Sequence, residues 1–191
     1  MLIPLGILAA SGAGVAGSYE LIETITVGAG GAASVTFSNL NTYSSTYQHL
    51  QIRAVARTTR STNNDAYKIT LNGTVPQVWH VMGNYYGLSG VLSEGSTSEA
   101  NVILPGGLPA ANSTANVFGA AIMDFLDAFS TTKNKTIRVF GGKSESANPA
   151  IAISSTFLNS TSALSSIKLE NRNEPSNFVI GSRFSLYGIK G

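Results

Sequence analysis

The residues able to do chemistry are few. Asp124 and Asp127 are a close pair of carboxylates. Two carboxylates facing across a cleft could hydrolyse a glycosidic bond or hold a cation; set at a strand end, one of them would simply cap backbone amides. His49 and His80 fall on separate expected strands, and two imidazoles without a third ligand make a poor metal site. Gly141-Gly142-Lys143-Ser144 ends like a phosphate-binding loop, but Ile137 occupies the position of the required first glycine. It reads as a turn after a strand. Gly87-Leu88-Ser89-Gly90 is one residue short of a nucleophile elbow. Arg53, Arg57 and Arg60 could form a short basic stripe, although cations are too sparse elsewhere for nucleic acid. Trp79, Tyr85 and Tyr86 are the candidate glycan-binding residues, since flat aromatic rings can stack on sugars. Core packing is the alternative for them. Four Asn-x-Ser/Thr triplets begin at Asn72, Asn112, Asn134 and Asn159, numbers that chance supplies in a chain rich in these residues. No catalytic, metal-binding or cofactor-binding residue emerges, and no cofactor is expected.

Composition points the same way. The 191 residues hold 12% charged side chains, about half the usual quarter, and the net charge is only +2. Ser, Thr, Asn and Gly take the place of charge, and they favour turns and exposed strand faces over helix. With 43% hydrophobic residues the chain can build a core. Zero cysteines exclude a disulfide scaffold, a thiol enzyme and a thiolate metal site.

The elements that must position these groups are strands. From Tyr19 the chain alternates apolar and polar residues to the glycine cluster at 28–31, then again through Val35 and Phe37, which reads as a hairpin. Further alternating runs lie at 49–57, 67–71, 78–82, 101–104, 135–140, 150–157, 164–169 and 183–189. Residues 83–99 read as an ordered surface loop. Residues 116–129 fit both a helical stripe and a strand. A central strand buried on both faces through Phe125, followed by a helical turn, is the preferred reading. The expected fold class is all-β: one antiparallel β-sandwich, jelly-roll-like, over residues 19–191.

Residues 1–18 differ from the rest. Leu2, Ile3, Leu5, Ile7 and Leu8 precede an Ala/Gly/Ser run, with no charged side chain. A signal peptide fits poorly, because no Lys or Arg precedes the apolar stretch and Pro4 and Gly6 interrupt it. The segment is too short and too rich in glycine to span a membrane. It reads as an anchoring arm, with those five side chains as partner-binding residues on a neighbouring subunit. Packing against its own domain is the alternative.

Several strings resemble small virion proteins of tailed bacteriophages, notably phages of aquatic bacteria of the cyanophage type. They are Met1-Leu2-Ile3-Pro4-Leu5-Gly6-Ile7-Leu8-Ala9-Ala10-Ser11-Gly12, Gly17-Ser18-Tyr19-Glu20-Leu21-Ile22 and Tyr47-Gln48-His49-Leu50-Gln51-Ile52-Arg53. The segment Ala115-Asn116-Val117-Phe118-Gly119 through Asp124-Phe125-Leu126-Asp127 and the closing Ser182-Arg183-Phe184-Ser185-Leu186-Tyr187-Gly188-Ile189-Lys190-Gly191 belong with them. The resemblance implies a virion structural protein, either a capsid decoration (cement) subunit or a tail fibre or adaptor subunit, and supplies no catalytic residues. The expected partners are other virion proteins and further copies in a homotrimer, without nucleic acid or membrane. A carbohydrate-binding module engaging host surface glycan is the alternative function, and a cell-surface glycan hydrolase the third.

Overall fold

A computed structural model of the chain describes residues 17–84, 90–97, 103–146, 148–172 and 175–191. Twelve strands occur among the described residues. They are β1 (Tyr19–Thr26), β2 (Ser34–Phe37), β3 (His49–Ala56), β4 (Asn64–Leu71), β5 (Val78–Asn84), β6 (Leu92–Ser96), β7 (Ile103–Pro109), β8 (Gly119–Leu126), β9 (Lys135–Lys143), β10 (Ala150–Leu158), β11 (Ile167–Asn171) and β12 (Arg183–Ile189). Every pairing is antiparallel. An eight-stranded sheet runs β1-β12-β3-β8-β9-β10-β5-β6, and a four-stranded sheet runs β2-β11-β4-β7.

The connectivity is that of a jelly roll. β1 pairs with β12, β2 with β11, β3 with β8 and β4 with β7. One long antiparallel ribbon is thus rolled so that successive strands alternate between the two sheets. Two hairpins interrupt the ribbon. β5–β6 lies between β4 and β7, and β9–β10 between β8 and β11; both extend the larger sheet beyond β8.

Alternation along the strands selects the faces. β9 and β10 bury every second residue, as period-two strands with one dry face must. The core between the sheets takes Phe37, Tyr67, Ile69 and Leu169 from the smaller sheet, and Leu50, Ile52, Met123, Phe125, Ile137 and Phe184 from the larger, all nearly or fully buried. Phe178 closes the core, edge-on to Phe184 at 4.8 Å between centroids, and bonds through its backbone to Ala32. The Tyr67 hydroxyl is buried without a hydrogen-bond partner among the described residues. An unpaired buried polar group costs about 1–3 kcal/mol. Tyr67→Phe is therefore expected to raise stability by roughly 1 kcal/mol, read as a higher urea midpoint; a lower midpoint would show that the hydroxyl is satisfied.

Four local expectations are corrected. Residues 19–27 and 33–38 are not a hairpin: β1 and β2 belong to different sheets, and the glycine cluster between them is a crossover. Its turn closes by Gly31 N–H donating to the Gly28 carbonyl, with Gly31 at φ +69°. Residues 83–99 are not all loop, since they contain β6. Residues 116–129 hold a strand and then a turn, as preferred, but β8 is dry on one face only: Ala120 and Ile122 look outward. Gly141-Gly142-Lys143 is not a turn but the end of β9. A Cβ on Gly142 would sit 2.0 Å from the Ala150 carbonyl, so glycine is needed for the backbones to approach.

Candidate interaction surface

The outer face of the larger sheet is where the sequence departs from hydrophobic-in, polar-out. In register across β8, β9, β10 and β5, Ile122 faces Phe140, Phe140 faces Ile153, and Ile153 faces Met82. The adjacent rung reads Val55, Ala120, Gly142, Ile151 across β3, β8, β9 and β10. The six large side chains in these two rungs are between 39% and 57% exposed. Ala120 and Gly142 leave the middle of the second rung empty of side-chain bulk. A shallow trough of about 910 Å³ results, walled also by Phe118 and Pro149.

Packing on the opposite face explains why large apolar residues point outward. The β7 backbone comes within 8 Å of β9 and β10, closer than the usual 10 Å between sheets. The inward residues of β10 and β8 nearest this approach, Ala150, Ala152 and Ala121, are small and buried. A Cβ on Gly119 would lie 2.1 Å from the Gly107 carbonyl. In β10 the alternation therefore puts alanines inside and Ile151 and Ile153 outside. β7 carries Pro105 and Pro109, which its edge position tolerates.

A polar row borders the apolar rungs. The Gln51 amide donates to Asp124 Oδ1 at 2.7 Å, and Arg138 donates to Asp124 Oδ2 at 3.0 Å. Tyr19 donates to Gln51 Oε1 at 2.7 Å and stacks on Tyr187, while the Arg53 guanidinium lies 5.2 and 5.4 Å from the two ring centroids. Asp124 is thus held by an amide and a guanidinium. Asp127 sits apart in the turn after β8, at φ +46°. The Lys133 ammonium, then the Gln48 amide, hold its carboxyl below the usual range. Each carboxylate has its own cation.

The remaining sequence candidates are placed as follows. Trp79 is a core residue of β5, 6% exposed, and offers no ring face to a sugar. Tyr85 and Tyr86 lie outside the described residues, as do Leu2, Ile3, Leu5, Ile7 and Leu8. His49 Nδ1 accepts the Asp127 N–H at 2.8 Å, and His80 is exposed on β5. Among the described residues no three His, Asp or Glu side chains gather as metal ligands. Asn72, in a turn at φ +49°, accepts from Ser165 and Ser166 and donates to the Ala163 carbonyl.

Arg57 is not part of a basic stripe. Its guanidinium donates to the carbonyls of Thr114, Val117, Ala111 and Ser113 at 2.7–3.2 Å. One side chain thereby shapes the 110–118 segment that ends in Phe118 at the trough. Arg57→Ala is expected to cost about 2 kcal/mol in denaturant titrations, since four carbonyls lose a charged donor and part of the loss is recovered by water. A loss below 0.5 kcal/mol, roughly the spread for neutral surface changes, would mean the segment holds itself.

The sequence reading missed Val55, Ile122, Phe140, Ile151, Ile153 and Met82 as a site. A trace was present: 150–153 reads Ala-Ile-Ala-Ile, apolar at both parities, which a strand with one wet face does not need. Chemically the trough can hold an apolar segment or side chain, and its rim can hydrogen-bond. No protein-family model, no curated protein and no solved structure matches this chain.

Proposed function

We propose that this chain is a structural subunit of a bacteriophage virion, a capsid decoration subunit or a tail fibre or adaptor subunit, working in symmetric homotrimers. The observation that carries this reading is the row Ile122, Phe140, Ile153 and Met82 on an open sheet face. Contiguous exposed apolar surface of this kind marks a contact with another macromolecule. The resemblance of the sequence strings to phage virion proteins names the setting.

The fold suits the role without requiring it, because a jelly roll hosts many functions. β1 forms an open edge of the larger sheet and exposes Leu21 at 59%. Exposed edges invite pairing with another chain, and closed cyclic symmetry lets identical copies cover one another's patches. Assembly through the apolar arm and the sheet edges is the mechanism we assign, with the assembled particle as its location.

Quantitative mass spectrometry of purified virions tests the reading. The protein is expected in a fixed molar ratio to the major shell or tail protein, retained through a density gradient. Its recovery only in the soluble fraction of the lysate would overturn a structural role.

A further inference from the structure

We infer that the trough on the outer face of β8, β9 and β10 is the receptor for residues 2–8 of a second copy of this chain. The inference rests on the assembly reading above and supplies its missing surface.

Residues 1–18 carry no charged side chain and concentrate five large apolar residues at positions 2–8. The trough is mostly apolar, with Ile122, Phe140 and Ile151 along it and Ala120 and Gly142 as its floor. Its one ammonium, Lys143, is turned away into a buried pair with Glu145. Its other cation, Arg53, sits at the β3 end, with its guanidinium over the Tyr19 and Tyr187 rings.

In an extended segment Ile3, Leu5 and Ile7 share one parity and project from one face. They span four residues, about 13 Å. The row Ile122, Phe140, Ile153, Met82, which lines the trough with its first two members and continues beyond it, crosses three inter-strand spacings, about 14 Å. Pro4 lacks a donor and Gly6 has no side chain. Neither is a handicap for a segment laid across a sheet face, where side chains rather than ladder hydrogen bonds make the contact.

β1 begins at Tyr19 opposite Ile189, and the Ser18 carbonyl accepts the Lys190 N–H. The trough lies toward the other end of the strands, on the rung where Val55 pairs with Arg183 and Arg183 with Thr26. The chain therefore enters β1 at the end of the sheet remote from its own trough. To reach that trough its own arm would have to lie across the hydrogen-bonded row of Gln51, Asp124 and Arg138, where an uncharged apolar segment gains nothing. An arm arriving from a neighbouring copy meets the trough without crossing that row.

The test uses the full-length protein with a photo-crosslinking amino acid placed at Leu5 or, in a separate preparation, at Ala10. Equal amounts of nitrogen-15-labelled and unlabelled protein are mixed, irradiated and digested. Crosslinks between differently labelled chains, mapping to 120–122, 140–142 or 151–153, are expected. Ala120→Glu, on an exposed strand position, is expected to abolish those crosslinks and shift the protein to monomer in sedimentation, with its β-type circular dichroism unchanged. Crosslinks confined to one isotope would overturn the second copy as donor. Crosslinks to other regions, or none, would overturn the trough as receptor. If Ala120→Glu does not fold, Ile153→Gln replaces it with the same expectation. Virion mass spectrometry is separate, so the virion setting can fail while arm-to-trough docking stands, and the reverse.

Discussion

Lys143→Met is expected to destabilise the protein by about 3–5 kcal/mol, the usual cost of stranding one member of a buried ion pair. The Lys143 and Glu145 side chains are 0% and 1% exposed and in direct contact. Lys143 also donates to the Asn63 carbonyl at 2.9 Å and to Ser113 Oγ at 3.0 Å, and Glu145 accepts the Thr114 N–H at 2.8 Å. The pair staples the 110–118 segment and Asn63 to the end of β9. Together with Arg57 it fixes Phe118 at the trough wall, so the effect reaches the interaction surface. Glu145→Gln should cost a similar amount by stranding the ammonium, and Lys143→Met/Glu145→Leu should recover part of either loss, since an apolar pair needs no partner. Urea denaturation of the four proteins checks this. Single-variant losses below about 1 kcal/mol, the range of exposed pairs, would mean that water reaches the pair.

The same site sets an acid limit. Burial by itself would raise the Glu145 carboxyl, but the Lys143 ammonium, the Thr114 N–H and the Ser113 hydroxyl outweigh it and hold it below its ordinary 4.5. A carboxyl depressed on folding contributes stability that is complete above the unfolded value and is lost as pH falls through the folded one. Stability should therefore decline as pH drops below about 4.5, and the decline should be shallower in Glu145→Gln, which has no proton to take up there. A wild-type profile flat from pH 5 to pH 3, roughly the window for a depressed carboxyl, would contradict the assignment.

Deleting residues 2–10 is expected to abolish self-association and incorporation into particles while leaving the sandwich folded. Among the described residues the core is built from positions 27–186. The arm's own terms nearly cancel. Burying each large apolar side chain contributes roughly 1.5–3 kcal/mol, and ordering each residue of a Gly- and Ala-rich segment costs about 1–2 kcal/mol. Docking should therefore need a preformed surface. Thermal unfolding within a few degrees of the full chain, combined with loss from gradient-purified particles, is the expected pair of results. A truncated protein that unfolds while monomeric would place the arm in its own core.

The all-β class, the single sandwich and most strand positions follow from local physics. Ser, Thr, Asn and Gly disfavour helix, and period-two alternation admits one dry face per strand, so β3, β9 and β12 lie where the alternation puts them. The apolar, uncharged opening segment is equally a property of the sequence. Pairing across the molecule is not. β1 joins β12 rather than its neighbour β2, because the rolled ribbon sends successive strands to opposite sheets, and no local signal encodes a partner more than 150 positions away. Nor could alternation tell which parity of β10 is buried, since Ala150-Ile151-Ala152-Ile153 is apolar at both. Hydrophobicity alone would have turned the isoleucines inward. Where the β7 backbone comes close, the inward places are held by small alanines, and Ile151 and Ile153 lie on the open face. Trp79, for the opposite reason, lies where the core has space for a large ring, and burial removes it from any site. The position of the apolar surface was therefore decided by sheet-to-sheet distance, a quantity that exists only once the chain has folded.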